Sequence, residues 1–236
     1  MATTIDKLSV FFPTYNEEAN IGSTVLKAKK VLEEIAQEWE ILIINDGSQD
    51  KTGEIAAMLA EKDPRVRVIT HPSNRGYGAS LKSGFYNSRH PWIAFTDSDG
   101  QFDFSEITSF IETQKRESAD LVIGYYKKRQ VSKFKMLTSR MWELAVIVLF
   151  GLKVHDIDCG FKLISKKVID SIPKLQSERG AFISSEFLIK AKKSGFKIVE
   201  IGVTHLPRLA GKGTGRNINV IIKSFVDLFK LWKKLR

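Results

Sequence analysis

Two carboxylates stand two positions apart at Asp97 and Asp99, directly after the apolar run Trp92-Ile93-Ala94-Phe95-Thr96. That run reads as a short buried strand, and the period of two of an extended backbone would send both side chains to the same side. Hard divalent cations such as Mg²⁺ and Mn²⁺ take oxygen ligands, and they commonly complete their coordination with substrate phosphates. An acidic pair at the carboxyl end of a strand therefore points to a metal site that handles a nucleotide diphosphate. Taken alone, Asp99-Gly100 marks no more than a turn. The elements around it decide.

Two earlier runs end in the same style. Leu8-Ser9-Val10-Phe11-Phe12 leads into Pro13-Thr14-Tyr15-Asn16-Glu17-Glu18, and Glu40-Ile41-Leu42-Ile43-Ile44 leads into Asn45-Asp46-Gly47-Ser48. Both are short, β-branched or aromatic, and bounded by turn residues, which suits strands buried on both faces. Between them residues 19–37 bring Ile21, Val25, Ala28, Leu32 and Ile35 to one helical face, and Thr52–Lys62 carries Ile55, Met58 and Leu59. A further strand, Val66-Arg67-Val68-Ile69, leads to Asn74-Arg75-Gly76-Tyr77-Gly78 and a helix from about Ala79 to Arg89. The alternation predicts an α/β fold with an open, mostly parallel sheet flanked by helices. Ligands of such sheets bind beyond the carboxyl ends of the strands. The polar clusters thus converge on one edge.

At 236 residues the chain is long enough for one substantial core. Its single cysteine, Cys159, excludes an intramolecular disulfide and suits a reducing compartment. Met1-Ala2-Thr3-Thr4-Ile5-Asp6 carries no secretory pattern. The longest nearly apolar stretch, Met141–Leu152, contains Glu143 and falls short of the ~20 residues of a spanning helix. Residues 1–126 hold 13 Lys/Arg against 19 Asp/Glu, whereas residues 127–236 hold 24 against 8. So basic a second half expects an anionic partner. Nucleic acid is disfavoured, because no reading helix, zinc-finger spacing or RNA-binding aromatic motif is present. A membrane surface suits the last nineteen residues better. Ile218, Ile221, Ile222, Phe225, Leu228, Phe229, Trp232 and Leu235 recur at helical spacing, with lysines at other positions. That pattern describes a helix lying in a membrane interface, although an apolar stripe packed on its own domain would look the same. Lys127-Lys128-Arg129 through Lys133-Phe134-Lys135-Met136 is a second basic-aromatic stretch.

Together, Pro13-x-Tyr15-Asn16-Glu17, Asp46-Gly47-Ser48, Asn74-Arg75-Gly76-x-Gly78, Asp97-x-Asp99-Gly100-Gln101 and Asp156-x-x-Cys159-Gly160-Phe161-Lys162 resemble family-2 glycosyltransferases. The nearest likeness is to the dolichyl- or polyprenyl-phosphate mannose and glucose synthases, and it runs from about Ser9 to Gly215. The resemblance implies the GT-A fold and an inverting transfer of a hexose from UDP-glucose or GDP-mannose to a polyprenyl or dolichyl phosphate. It also implies a protein held peripherally at the cytoplasmic face of a membrane. Asn45 departs from a second Asp often found there, and Asp158 resembles the glucose rather than the mannose synthases. The expected organisation is one glycosyltransferase domain over 1–217, with a nucleotide-sugar half to about 126 and an acceptor half to 217, followed by the basic amphipathic helix 218–236.

Residue roles follow from chemistry and resemblance together. Pro13, Tyr15, Glu17 and Asp46 would hold the nucleoside, and Arg75 with Gly76, ahead of a helix amino end, would approach the diphosphate. Asp97, Asp99 and, by resemblance, Gln101 would bind Mg²⁺ or Mn²⁺. A lipid phosphate is already anionic, so its acceptor site needs charge neutralisation more than a base. Arg140, Arg208, Lys212 and Arg216 are candidates for that, and Glu186 would face acceptor or sugar by resemblance. A non-lipid acceptor such as a glycan would instead want a carboxylate base, from Glu186 or Asp158. A catalytically silent nucleotide-sugar-binding membrane scaffold is the third reading. His71, His90, His155 and His205 show no metal spacing and receive no role.

Overall fold

The computed structural model describes residues 4–127, 133–178, 180, 182–207 and 218–235, with the side chains of 133–140 and 218–224 outside that description. Seven strands form one mixed sheet: β1 (Ile5–Thr14), β2 (Ala36–Asn45), β3 (Val66–Thr70), β4 (Trp92–Phe95), β5 (Leu121–Tyr126), β6 (Lys162–Ser165) and β7 (Ile198–Val203). Their order is β3-β2-β1-β4-β6-β5-β7. β1 pairs in parallel with β2 and β4, and β2 with β3, which is the parallel half that the alternating apolar runs predict. β6 runs antiparallel between β4 and β5, and β7 closes the edge parallel to β5.

Alternate residues of each strand feed two cores, as period two requires. Val10, Phe12, Ile41, Ile43 and Ala94 face one side, where they meet α1 (Ile21–Ile35), α2 (Thr52–Lys62) and α4 (Ile107–Glu117). Phe11, Leu42, Ile44, Ile93 and Phe95 face the other, with α3 (Tyr77–Asn87), α5 (Lys133–Phe150), α6 (Lys166–Ser171), α7 (Phe182–Lys193) and α8 (Ile218–Leu235). α1 buries Ile21, Val25, Ala28, Leu32 and Ile35, the stripe read from its spacing. In α2 the spacing misleads: Met58 is exposed. Aromatic packing is dense on both faces. Phe11 stacks on Phe95 with ring centroids 5.1 Å apart, and Phe110 stacks on Phe161 at 4.4 Å. Each such ring buried is worth about 1.5–3 kcal/mol, so these clusters fix where the strand ends lie.

α8 carries two apolar stripes. Leu228 and Leu231 are buried in the second core, and Phe225 meets Trp142 of α5 edge-on at 5.0 Å. Val226 and Phe229 remain exposed, as do Met141, Leu144 and Val148 of α5. Among the described residues no helix is long and apolar enough to cross a membrane.

Candidate active site

β4 ends at Phe95, and Asp97–Gly100 is a turn, not a continuation of the strand. Strand alternation therefore does not set the direction of the two carboxylates, contrary to the sequence expectation. Side-chain contacts set it instead. Ser98, between them, is buried and donates its hydroxyl to the carbonyl of Pro13 at 2.9 Å, while Thr24 donates to the Ser98 carbonyl. Asp99 accepts the amide of Gln101 at 3.1 Å, and Gly100 takes φ +74° to close the turn.

Asp97 is gripped from two sides. The Tyr77 hydroxyl donates to its Oδ1 at 3.2 Å. Burial, then the neighbouring Asp97 charge, holds the Tyr77 phenol well above its ordinary range, so it stays a neutral donor. On the other side lies Gly160, where a β-carbon would stand 2.4 Å from Asp97 Oδ2. The loop bearing Gly160 is pinned from beneath by Lys162. That buried ammonium donates to the carbonyls of Ile157 and Cys159 and sits 5.6 Å from the Phe95 ring centre. Burial pushes the Cys159 thiol up to about 12, which removes it as a nucleophile or thiolate ligand at neutral pH. Three motifs distant in sequence thus meet at one carboxylate.

The donor set fits a hard divalent ion. Asp97 and Asp99 supply carboxylate oxygens at a strand end, and the missing Cβ of Gly160 leaves the room that Asp97 occupies. Among the described residues no three His, Cys, Asp or Glu side chains form a metal cage by themselves. An ion held here would share its coordination with a diphosphate. Gln101 has a second engagement: its side-chain amide donates to the Leu206 carbonyl at 3.0 Å, and its own carbonyl accepts the Leu206 amide at 2.8 Å.

The nucleoside candidates lie at the ends of β1 and β2. Asn16, at φ +54°, receives a hydrogen bond from the Gln49 amide and donates its own amide to Ser48, so the two loops are stitched together. Glu17 accepts from Asn20, Tyr15 is 39% exposed, and Pro13 is buried one residue before the end of β1. Asp46 is buried and already well occupied. Its Oδ1 accepts the Arg75 amide at 2.9 Å and meets His71 Nδ1 at 2.6 Å, and its Oδ2 accepts the Gly76 amide at 2.7 Å.

The amino end of α3, behind the Arg75-Gly76 pair expected to approach the diphosphate, is met by the segment that carries Glu178. The Ala79 amide donates to the Glu178 carbonyl at 3.0 Å, and a β-carbon at Gly78 would lie 2.7 Å from that same oxygen. Arg75 of the loop and Lys82 of α3 both pair with Glu178 Oε1, at 2.9 and 2.8 Å. Glu178 is carried by a segment that Glu186 braces. Glu186 is buried and accepts the amides of Gln176 and Ser177 and the Lys190 ammonium. Burial works against its charge, but these hydrogen bonds outweigh that and hold its carboxyl below the usual value. The sequence placed Glu186 toward acceptor or sugar; its carboxylate is directed into this internal brace. Arg140 lies on α5 with its side chain outside the described residues, and Arg208, Lys212 and Arg216 lie outside them altogether.

Sequence reasoning gave no role to His71, Tyr77, Lys162 or Glu178. Tyr77 stood at the variable position of its motif, and Glu178 belongs to no motif.

The chain matches the family model "Glycosyl transferase family 2" over residues 9–172. It is 30% identical to a dolichyl-phosphate beta-glucosyltransferase of Trichomonas vaginalis, over 95% of this chain and 72% of that protein. It is 27% identical to a dodecaprenyl-phosphate galacturonate synthase of Rhizobium johnstonii, over 98% and 69%. It is 30% identical to an undecaprenyl-phosphate 4-deoxy-4-formamido-L-arabinose transferase of Pseudomonas aeruginosa, over 88% of this chain and 60% of that one. The fold matches that of glucosyl-3-phosphoglycerate synthase from Mycobacterium tuberculosis, crystallised with Mn²⁺, UDP and glucosyl-3-phosphoglycerate, with a TM-score of 0.71 at 19% identity over 98% of this chain and 80% of that chain. A mostly parallel sheet, an acidic turn at its carboxyl edge and a family model spanning most of the length lead to one conclusion: the chain belongs to glycosyltransferase family 2.

Proposed function

We propose that this chain transfers a hexose from a nucleotide diphosphate sugar, UDP-glucose or GDP-mannose, to a polyprenyl or dolichyl phosphate at a membrane surface, with inversion. One observation carries the acceptor. The three relatives above are named for different sugars, yet each name specifies a polyprenyl-type phosphate. In this reading Pro13, Tyr15 and Glu17 hold the nucleoside, and Arg75 and Lys82 leave Glu178 to meet the diphosphate. Asp97 and Asp99 hold Mg²⁺ or Mn²⁺, which when bound neutralises charge on the departing nucleoside diphosphate. The acceptor phosphate oxygen forms the new bond to the anomeric carbon as the bond to the diphosphate breaks, and it arrives anionic, so no base is required. Arg140, Arg208 and Lys212 would offset its charge.

Membrane contact is supported by the outward apolar residues of α5 and α8, flanked by exposed Lys230 and Lys233. Such a face supports peripheral attachment, and the cytoplasmic side is what the family resemblance implies. The test is incubation with radiolabelled UDP-glucose or GDP-mannose, Mn²⁺ and polyprenyl phosphate. Label entering the organic phase supports the reading. Label released only as free sugar, or transferred only to a water-soluble acceptor, rejects it.

A further inference from the structure

A buried chain of polar contacts runs behind the Arg75 loop, and the reading above uses only its front end. His71 follows the end of β3 and is 5% exposed. Its amide donates to the Asn45 carbonyl at 2.9 Å, which seats it against the end of β2. Nδ1 lies 2.6 Å from Asp46 Oδ1, and Nε2 lies 2.8 Å from the Ser83 hydroxyl on α3. A carboxylate only accepts, so Nδ1 carries the proton it donates. Asp46 in turn holds the amides of Arg75 and Gly76, and Gly76 stands at φ +98°, a conformation that glycine adopts without strain.

We infer that His71 is a positioning residue for the donor diphosphate: through Asp46 it fixes the Arg75-Gly76 loop and so determines where the Arg75 guanidinium can reach. The inference rests on the reading that Arg75 meets the diphosphate. His71 touches no substrate in this account. Its two nitrogens have separable jobs, Nδ1 holding the loop and Nε2 tying the ring to α3.

Amide side chains separate them. The nitrogen of Asn can take the place of Nδ1, and that of Gln the place of Nε2. His71→Asn therefore keeps the bond to Asp46 and loses Ser83, whereas His71→Gln does the reverse. Calorimetric binding of UDP and of GDP, each with Mn²⁺, is measured well below the melting temperature of each variant. His71→Asn and Ser83→Ala are expected to bind within about threefold of the unaltered protein. His71→Gln, and His71→Leu, are expected to bind on the order of tenfold more weakly, with turnover at saturating donor unchanged. His71→Gln binding as tightly as the unaltered protein overturns the inference, and so does a tenfold loss in His71→Asn, even if neither the Gln nor the Leu variant folds. Failure of the unaltered protein to bind either nucleotide overturns the donor reading itself, which is a different result.

Discussion

Gly160 and Asp97 stand so close that no side chain fits between them: a β-carbon on Gly160 would come within 2.4 Å of Asp97 Oδ2. The contact links a loop after α5 to the turn after β4, and on its other oxygen the carboxylate is held by the Tyr77 hydroxyl at 3.2 Å. Gly160→Ala should displace Asp97, lowering the affinity for Mn²⁺ with UDP and the turnover together. Paramagnetic resonance of bound Mn²⁺ checks this. Wild-type Mn²⁺ affinity in the variant would show that Asp97 does not need this position.

Asp99 offers a cleaner deletion. Asparagine retains the carbonyl that accepts the Gln101 amide, so Asp99→Asn should leave thermal unfolding within about 1 kcal/mol of the original. Turnover should be abolished, since a neutral amide replaces a carboxylate donor. Activity surviving in this variant, or in excess chelator, would remove Asp99 from the metal site.

Glu186 and Lys190 form a buried ion pair. Glu186→Ala should destabilise the fold by roughly 3–5 kcal/mol, because it strands the Lys190 charge, and Glu186→Ala with Lys190→Met should recover part of that loss. The pair also shapes the acid response. A folded-state carboxyl below the ordinary 4.5 contributes stability that is complete above about that pH and is lost as pH falls toward the folded value. Denaturant titrations between neutral pH and pH 3 should accordingly show a smaller acid loss in the double variant than in the unaltered protein.

α8 allows packing and membrane contact to be tested apart. Deleting 218–236 removes Leu228 and Leu231 from the second core and should lower the melting temperature as well as liposome binding. Val226→Ser with Phe229→Ser alters only the exposed stripe. It should leave the melting temperature nearly unchanged and weaken co-sedimentation with anionic liposomes. Unchanged co-sedimentation would assign α8 to the core alone.

Much of the parallel half of the sheet could be read from its short apolar runs, because a strand buried on both faces needs little beyond local composition. The acidic turn was equally legible, as was the stripe of α1. The geometry around Asp97 was not. His71 lies 25 positions from Asp46, and Arg75 lies 103 from Glu178, so neither pair leaves a local pattern. Asp46 illustrates the limit: its type and its place at a strand end suggested a nucleoside contact, and only the folded chain shows three partners already on it. Likewise Glu186 has the local look of a helix-start acid with a lysine four residues on, while the two amides it accepts come from the segment ten and nine residues before it.

The contact of Glu178 with the amino end of α3 bears on how donor binding responds to ionic strength. Where phosphates rest on backbone amides, the attraction comes from fixed dipoles at contact distance, often shielded from the solvent. Here the Arg75 and Gly76 amides face Asp46, and the Ala79 amide faces Glu178. In the proposed donor reading, the side chains of this region that would meet a diphosphate are the Arg75 guanidinium, 46% exposed, and the Lys82 ammonium, both of which pair with Glu178 and would first have to leave it. Mobile ions screen an exposed charge such as that of Arg75 over about 10 Å at 0.1 M and about 3 Å at 1 M. Nucleotide affinity should therefore fall continuously as sodium chloride is raised, and Glu178→Gln, which frees both cations, should tighten binding most when the salt is dilute.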